Sequence, residues 1–148
     1  MLVVIDTNIL VSSRLSPNGN EGQVLYLFQQ SLIEIATTPQ IIDEYKRVFQ
    51  YLHIQKRLKW SKNKMDQYLY NFTLATTLFP GQTVVNVIKN DPDDDKFLAC
   101  ALEAKANYII SGDQHLLKIK KFQKIPIVTA KKFCCLSTNF SINKKSSD

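Results

Sequence analysis

The sequence has no apolar run approaching the roughly 18 residues needed to cross a bilayer, so no membrane span is expected. It has no basic leader either. The opening Met1-Leu2-Val3-Val4-Ile5-Asp6 meets an acid by position 6, which makes a poor signal peptide and a good buried strand. The expected location is the cytoplasm. Glycine and proline are scarce, four and five residues, which excludes a collagen-like or low-complexity chain. Cysteine numbers three and histidine two. No CxxC spacing occurs, and His53 and His115 lie far apart, so a zinc site is not expected. Cys134 and Cys135 are adjacent and cannot easily bond each other, and Cys100 sits in an apolar helical pattern as a small core residue. No serine or cysteine stands out as a nucleophile.

What is present is enough for one domain with a real core: 148 residues, 45% of them apolar. Leu2 to Ile5 is a continuous aliphatic run, the pattern of a strand buried on both faces. Ser16 to Asn20 is a turn cluster, and Val24, Leu25, Leu27 and Phe28 then follow helical spacing. Glu34 to Thr37 reads as a second strand. Thr38 looks like an N-cap with Pro39 at the first helical position, and Ile41, Ile42, Tyr45, Val48 and Phe49 form an apolar stripe. A basic helical region from Leu52 to Leu78 should break near Trp60-Ser61 and end at Pro80-Gly81. Thr83 to Ile88 is the third strand expected.

Asp91 is placed as the N-cap of the next helix, with Pro92 at its first position and Asn107 at its end. Tyr108 to Ser111 follows as a strand and Gln114 to Ile119 as a short helix. Ile125 to Thr129 is a fifth strand, placed at an edge because of Pro126. Ala130 to Cys135 makes a last helical turn or two. Residues 137–148 are polar and expected to be disordered, so the domain is set at 1–136. Strands alternating with helices imply an α/β fold with a parallel sheet.

Charge is uneven. The net charge is +6, yet four of the five residues from Asp91 to Asp95 are acidic. From Lys46 to Lys64 there are seven basic residues and no acid. Either feature alone describes a solvated surface. Together they suit a polyanion held beside a cation site. Ligands of open α/β sheets bind beyond the carboxyl ends of the strands. Asp6 follows the first strand and Asp113 the fourth. Asp95 opens the helix after the third, and Glu44 lies about two turns into the helix after the second. Gathered carboxylates repel one another unless protonated or given a cation. Oxygen ligands of this kind suit Mg²⁺ or Mn²⁺, one ion or two, which can activate water and stabilise charge on a phosphoryl group. Taken singly, each acid has an ordinary explanation: a turn cap at Asp6 and Asp113, a solvated helix position at Glu44, a helix start at Asp95.

Four segments resemble the motifs of PIN domains. They are Val4-Ile5-Asp6-Thr7-Asn8-Ile9-Leu10, Thr38-Pro39-Gln40-Ile41-Ile42-Asp43-Glu44-Tyr45, Asp91-Pro92-Asp93-Asp94-Asp95-Lys96-Phe97-Leu98-Ala99, and Ile110-Ser111-Gly112-Asp113-Gln114-His115-Leu116-Leu117. The third is closest to a prokaryotic subgroup described as toxins of toxin–antitoxin systems. The resemblance runs from about residue 2 to residue 134, in the family's order. It implies a three-layer fold with a central parallel sheet flanked by helices. It also implies Mg²⁺- or Mn²⁺-dependent cleavage of single-stranded or loop RNA.

Metal-binding and catalytic roles pass to Asp6, Glu44, Asp95 and Asp113, and supporting roles to Asn8, Asp94 and Ser111. His115 stands where many relatives have another acid. Phosphate contacts are assigned to Lys56, Arg57 and Lys59, and to the Lys118-Lys120-Lys121-Lys124 cluster, with Tyr51, Trp60, Tyr68 and Tyr70 as stacking candidates. RNA is the substrate implied; an antitoxin protein and a second copy of the chain are the partners.

Two other functions fit parts of the pattern. One is a catalytically weak PIN-fold module that binds RNA or protein. Divalent-cation binding lost in Asp6→Asn distinguishes the enzyme from it. The other is a phosphatase or phosphotransferase with Asp6 as covalent nucleophile, disfavoured because Asn8 stands where such enzymes carry a second aspartate and no suitably placed lysine is obvious.

Overall fold

Val3, Val4 and Ile5 lose all contact with solvent, and their strand, β1 (Leu2–Ile5), is the centre around which the rest assembles. The computed structural model describes residues 1–87 and 92–145. After β1 come α1 (Thr7–Leu15), α2 (Asn20–Gln29), β2 (Glu34–Thr37), α3 (Pro39–Phe49), α4 (Leu52–Leu58), α5 (Lys62–Ala75) and β3 (Thr77–Leu78). A single 3₁₀ turn at Pro92–Asp94 leads into α6 (Asp95–Ala104). Then follow β4 (Tyr108–Ile110), α7 (Gln114–Leu117), β5 (Lys121–Phe122), β6 (Ile125–Val128) and α8 (Ala130–Lys145). The sheet order is β3-β2-β1-β4-β6-β5, parallel except for the antiparallel β5–β6 pair. Helices flank it, with α6 packed on β1, β2 and β4. This is the expected α/β architecture, and the parallel strands all present their carboxyl ends at one pole.

Local signals explain most boundaries. Thr38 caps α3, accepting from the Ile41 N–H at 3.4 Å, and Pro39 opens the helix. Ile41, Ile42, Tyr45 and Phe49 are buried, as the stripe required. The basic helical region does break at Trp60: Lys59 takes a left-handed conformation, φ 58°, and Ser61 caps α5 through the Lys64 N–H at 3.1 Å. Cys100 is buried in the core.

Several expectations are corrected. The third strand is Thr77–Leu78, paired with Ala36 and Thr37, and Thr83 to Val87 is irregular. Its backbone is held by side chains instead of a ladder. The Glu103 carboxylate accepts N–H groups from Gly81, Gln82 and Thr83 at 2.8 to 2.9 Å, and Gln40 donates to Gly81 O at 2.8 Å. Ile88 and the proposed cap Asp91 lie outside the described residues. The strand holding Pro126 is not at an edge, because β5 covers it. The proline is second in a four-residue strand, where a missing donor disturbs the ladder least, and Ile127 N–H carries the bond to Lys120 O at 2.9 Å.

Lys105, not Asn107, ends α6 in a left-handed conformation, φ 52°. Asn107 instead clamps the start of β1. Its Oδ1 accepts from Leu2 N–H at 2.9 Å and its own N–H donates to Leu2 O at 2.7 Å. Helix α1 and strand β5 had no prior signal. The last helix continues to Lys145, well past Cys135.

The Glu103 clamp yields a first prediction. The three accepted N–H groups hold this carboxyl below its ordinary range, against a smaller opposing effect of burial. A lowered folded-state value means the clamp's contribution is present above the ordinary carboxylate range and is lost as pH falls through the folded value. Glu103→Ala at neutral pH should speed amide hydrogen exchange at Gly81, Gln82 and Thr83, as acidification should in the wild type. Unchanged exchange would mean that other contacts hold the segment.

Candidate active site

Two of the four expected acids meet at the ends of β1 and β4. Asp6 caps α1, accepting from Ile9 N–H at 3.1 Å, and its own N–H donates to Ile110 O at 3.1 Å. Asp113 caps α7, accepting from His115 N–H at 2.7 Å. Ser111, fully buried between them, donates its hydroxyl to Asp6 Oδ2 and accepts the Asp113 N–H at 2.9 Å. Register explains the meeting: Ile5 lies beside Ile110, so both chains leave the sheet at the same level.

Asp6 is 4% exposed. Burial pushes its carboxyl up from the ordinary value. Hydrogen bonds from Ser111, Ile9 and Gly112 oppose that, and the negative charge of Asp113 adds to it.

Glu44 reaches the same pole from α3. Thr7 donates its hydroxyl to Oε2, and Lys96 Nζ lies 2.8 Å from Oε1. Arg47 stands 3.6 Å from Oε1. Tyr45, the next residue on α3, is fully buried and donates to Ile5 O at 2.7 Å. That bond pins α3 to the end of β1, one residue before Asp6. Burial holds the Tyr45 hydroxyl well above its ordinary value, so it stays a neutral donor. Asp95 is buried in the first turn of α6, and its Oδ1 accepts from Val87 N–H at 3.2 Å. Asp95 and Lys96 line a pocket of about 160 Å³ with Thr38, Thr83, Val85 and Glu103.

The site is therefore a connected run from Asp113 through Ser111 and Asp6 to Thr7, Glu44 and Lys96, with Asp95 adjoining. Asn8 is exposed, and among the described residues no hydrogen bond joins its side chain to these acids. Its neighbour Thr7 makes the contact instead. Asp94 sits at the N-cap position of α6 without a side-chain cap bond. His115 is exposed. Thr7, Tyr45 and Lys96 were not singled out from sequence, although each adjoins a chosen acid. Lys96 had the clearer signal, as a cation in the first turn of a helix that favours anions there.

Removing the Tyr45 hydroxyl should leave the Ile5 carbonyl buried and unpaired. Tyr45→Phe should cost about 1–3 kcal/mol, read as a lower urea midpoint at constant slope. An unchanged midpoint would show that the carbonyl finds another partner.

The donor set is chemically suited to a hard divalent cation. It is all oxygen, and Asp6 is a buried carboxyl beside a second carboxylate, Asp113. Among the described residues, no three His, Cys, Asp or Glu side chains are grouped closely enough to hold a metal ion. Glu44 is engaged by Thr7 and Lys96, and Asp95 accepts from the Val87 N–H. The donors fit such an ion by kind.

Residues 2–115 match the family model described as a PIN domain. The chain belongs to the PIN domain family. It is also 34% identical over 122 residues to an uncharacterised protein of Methanocaldococcus jannaschii, covering 82% of this chain and 77% of that protein. Among solved structures it resembles VapBC2 from Rickettsia felis, determined bound to a DNA fragment from its promoter. The TM-score is 0.54 at 12% identity, covering 86% of this chain and 97% of that one. At that identity the likeness is one of fold. All four expected acids fall inside the matched PIN region or its edges.

The basic residues singled out from sequence lie on the surface. Lys56 and Arg57 are exposed on α4 and Lys59 just after it, and α4 packs against α1 and α3. Lys118, Lys120, Lys121 and Lys124 are exposed near β5. The aromatic candidates divide. Tyr68 packs against Phe49, Phe72 and Trp60, whereas Tyr51 and Tyr70 are exposed at 43% and 64%. No helix of the described residues is long and apolar enough to cross a membrane.

Proposed function

We propose that this PIN domain is a divalent-metal-dependent endoribonuclease that cleaves single-stranded or loop RNA in the cytoplasm, with residues 1–136 as the nuclease unit. Asp6, Glu44, Asp95 and Asp113 would hold Mg²⁺ or Mn²⁺, as one ion or two. The bound cation would supply an activated water and charge stabilisation at the phosphoryl group. The observation that carries the reading is the Asp6–Ser111–Asp113 cluster. It links the buried Asp6 carboxyl, through the buried Ser111 hydroxyl, to the backbone N–H of half-buried Asp113 at the carboxyl ends of adjacent parallel strands, the position at which open α/β sheets bind ligands.

The chain's own residues divide the remaining work. Ser111 orients Asp6 and the Asp113 backbone, and Thr7 orients Glu44. Asn8 and Asp94 are supporting residues in this reading, Asn8 from the exposed rim. Lys56, Arg57 and Lys59 bind the substrate backbone. By analogy with the fold neighbour, the chain acts as the toxin of a toxin–antitoxin pair, with an antitoxin protein as partner and a homodimer as its assembled form.

The test is cleavage of a labelled single-stranded RNA with Mn²⁺, Mg²⁺ or EDTA, with wild type and Asp6→Asn side by side. Metal-dependent cleavage absent from the mutant supports the proposal. Equal cleavage by both proteins, or none in any metal, transfers the weight to a non-catalytic RNA- or protein-binding module. Replacing Lys56, Arg57 and Lys59 together with alanine should weaken RNA binding and flatten its dependence on salt, since each phosphate contact contributes to that slope. An unchanged slope would make these three residues an ordinary solvated face.

A further inference from the structure

Lys96 is the second residue of α6, in the turn where a helix disfavours a cation. Its placement there is explained by its partner. The ammonium lies 2.8 Å from Glu44 Oε1, with side-chain exposures of 18% for the lysine and 10% for the glutamate. Thr7 holds the other oxygen, so both oxygens of Glu44 are occupied. Arg47 also faces Oε1, but at 3.6 Å and with a side chain 56% exposed, where solvent screens the pair. Lys96 thus carries most of the charge compensation for a nearly buried carboxylate. It also lines the pocket beside Asp95. A cation approaching Glu44 would meet a unit positive charge already in place.

We propose that Lys96 is the internal counter-cation of Glu44, held there in the metal-free protein and exchanged when a divalent cation takes up Glu44 with the neighbouring acids. Lys96 is then a positioning residue. It keeps the acidic pole folded without metal and sets how tightly metal binds. The inference rests on the nuclease reading only in that both need a divalent cation at Glu44. It concerns metal binding alone and needs no RNA.

The experiment is calorimetric titration of Mn²⁺ alone into the full chain, as wild type, Lys96→Met, Lys96→Arg and Arg47→Met, with melting of each in EDTA. Removing a unit charge a few ångströms from the binding position should tighten Mn²⁺ by about tenfold in Lys96→Met. The same variant should melt lower than wild type in EDTA, because Glu44 loses its cation. Lys96→Arg keeps the charge and should bind Mn²⁺ no more tightly than wild type. Arg47→Met should change affinity less than about twofold.

An ordinary structural ion pair would lower the melting temperature of Lys96→Met and leave Mn²⁺ affinity unchanged or weaker. That result overturns the proposal. Should Lys96→Met not fold in EDTA, Lys96→Gln, which keeps a hydrogen-bond donor to Oε1, is read by the same criterion. If wild type itself binds no Mn²⁺, the metal reading falls and this inference with it. The wild-type titration tells that failure apart from one confined to Lys96.

Discussion

Asp6→Asn should lower metal-dependent RNA cleavage by at least about a hundredfold, the upper end of what changes around metal ligands cost, while making the metal-free protein more stable at neutral pH. The second half follows from the sign of the carboxyl's shift. Burial raises Asp6 above its ordinary value, and the charge of Asp113 adds to the effect. A raised folded-state value means the favourable contribution is present below the ordinary carboxylate range and is lost as pH rises through the folded value. At neutral pH the ionised group is therefore a cost, and asparagine removes it. Asparagine also keeps an oxygen to accept the Ile9 N–H, and the Ser111 hydroxyl can turn to accept from the new amide. Melting in EDTA at pH 7 and at about pH 4, together with the cleavage assay, checks both halves. The stability gain should shrink at the lower pH. Lower stability of the mutant at pH 7 would mean that the hydrogen bonds to the carboxylate outweigh its burial.

Ser111→Ala should damage stability and activity together. The hydroxyl is fully buried and serves two acids, donating to Asp6 Oδ2 and accepting the Asp113 N–H. Alanine fills most of the space but leaves both partners unsatisfied, and loss of one side of a buried pair costs about 1–3 kcal/mol. The carboxylate of Asp6 also loses the hydrogen bond that most opposes its burial, so its protonation at moderate pH becomes easier. Cleavage should fall by about 10- to 100-fold, as for other residues that orient metal ligands. The pH at which half of the residual activity appears should move upward. A loss of stability with activity and pH profile intact would reduce Ser111 to a packing residue.

Much of the architecture was legible in the chain because it is governed by local chemistry. The aliphatic run at Leu2 to Ile5 and the Thr38-Pro39 start of α3 were read in place. So was the break at Trp60-Ser61. Each is an apolar periodicity or a cap, and these act over a few residues. Helix α1 was missed because Thr7, Ile9 and Val11 are poor helix formers. What makes the segment helical is the Asp6 cap and burial of Ile9, Leu10 and Val11. The third strand was misplaced for a related reason. Thr83 to Val87 has strand-like composition, but the place beside β2 is taken by Thr77 and Leu78, and Glu103 claims the amide groups of residues 81 to 83.

By itself, the sequence determined the class of fold and the PIN family pattern, and it offered four acids as candidates. Only the tertiary structure decided how those acids relate. Register between β1 and β4 puts Asp6 and Asp113 about one serine, so that burial and mutual repulsion act on the same carboxyl. The packing of α3 beside α6 sets Glu44 against Lys96, residues separated by 52 positions. Such partnerships depend on which surfaces meet in the folded chain, and no local pattern of residues encodes them.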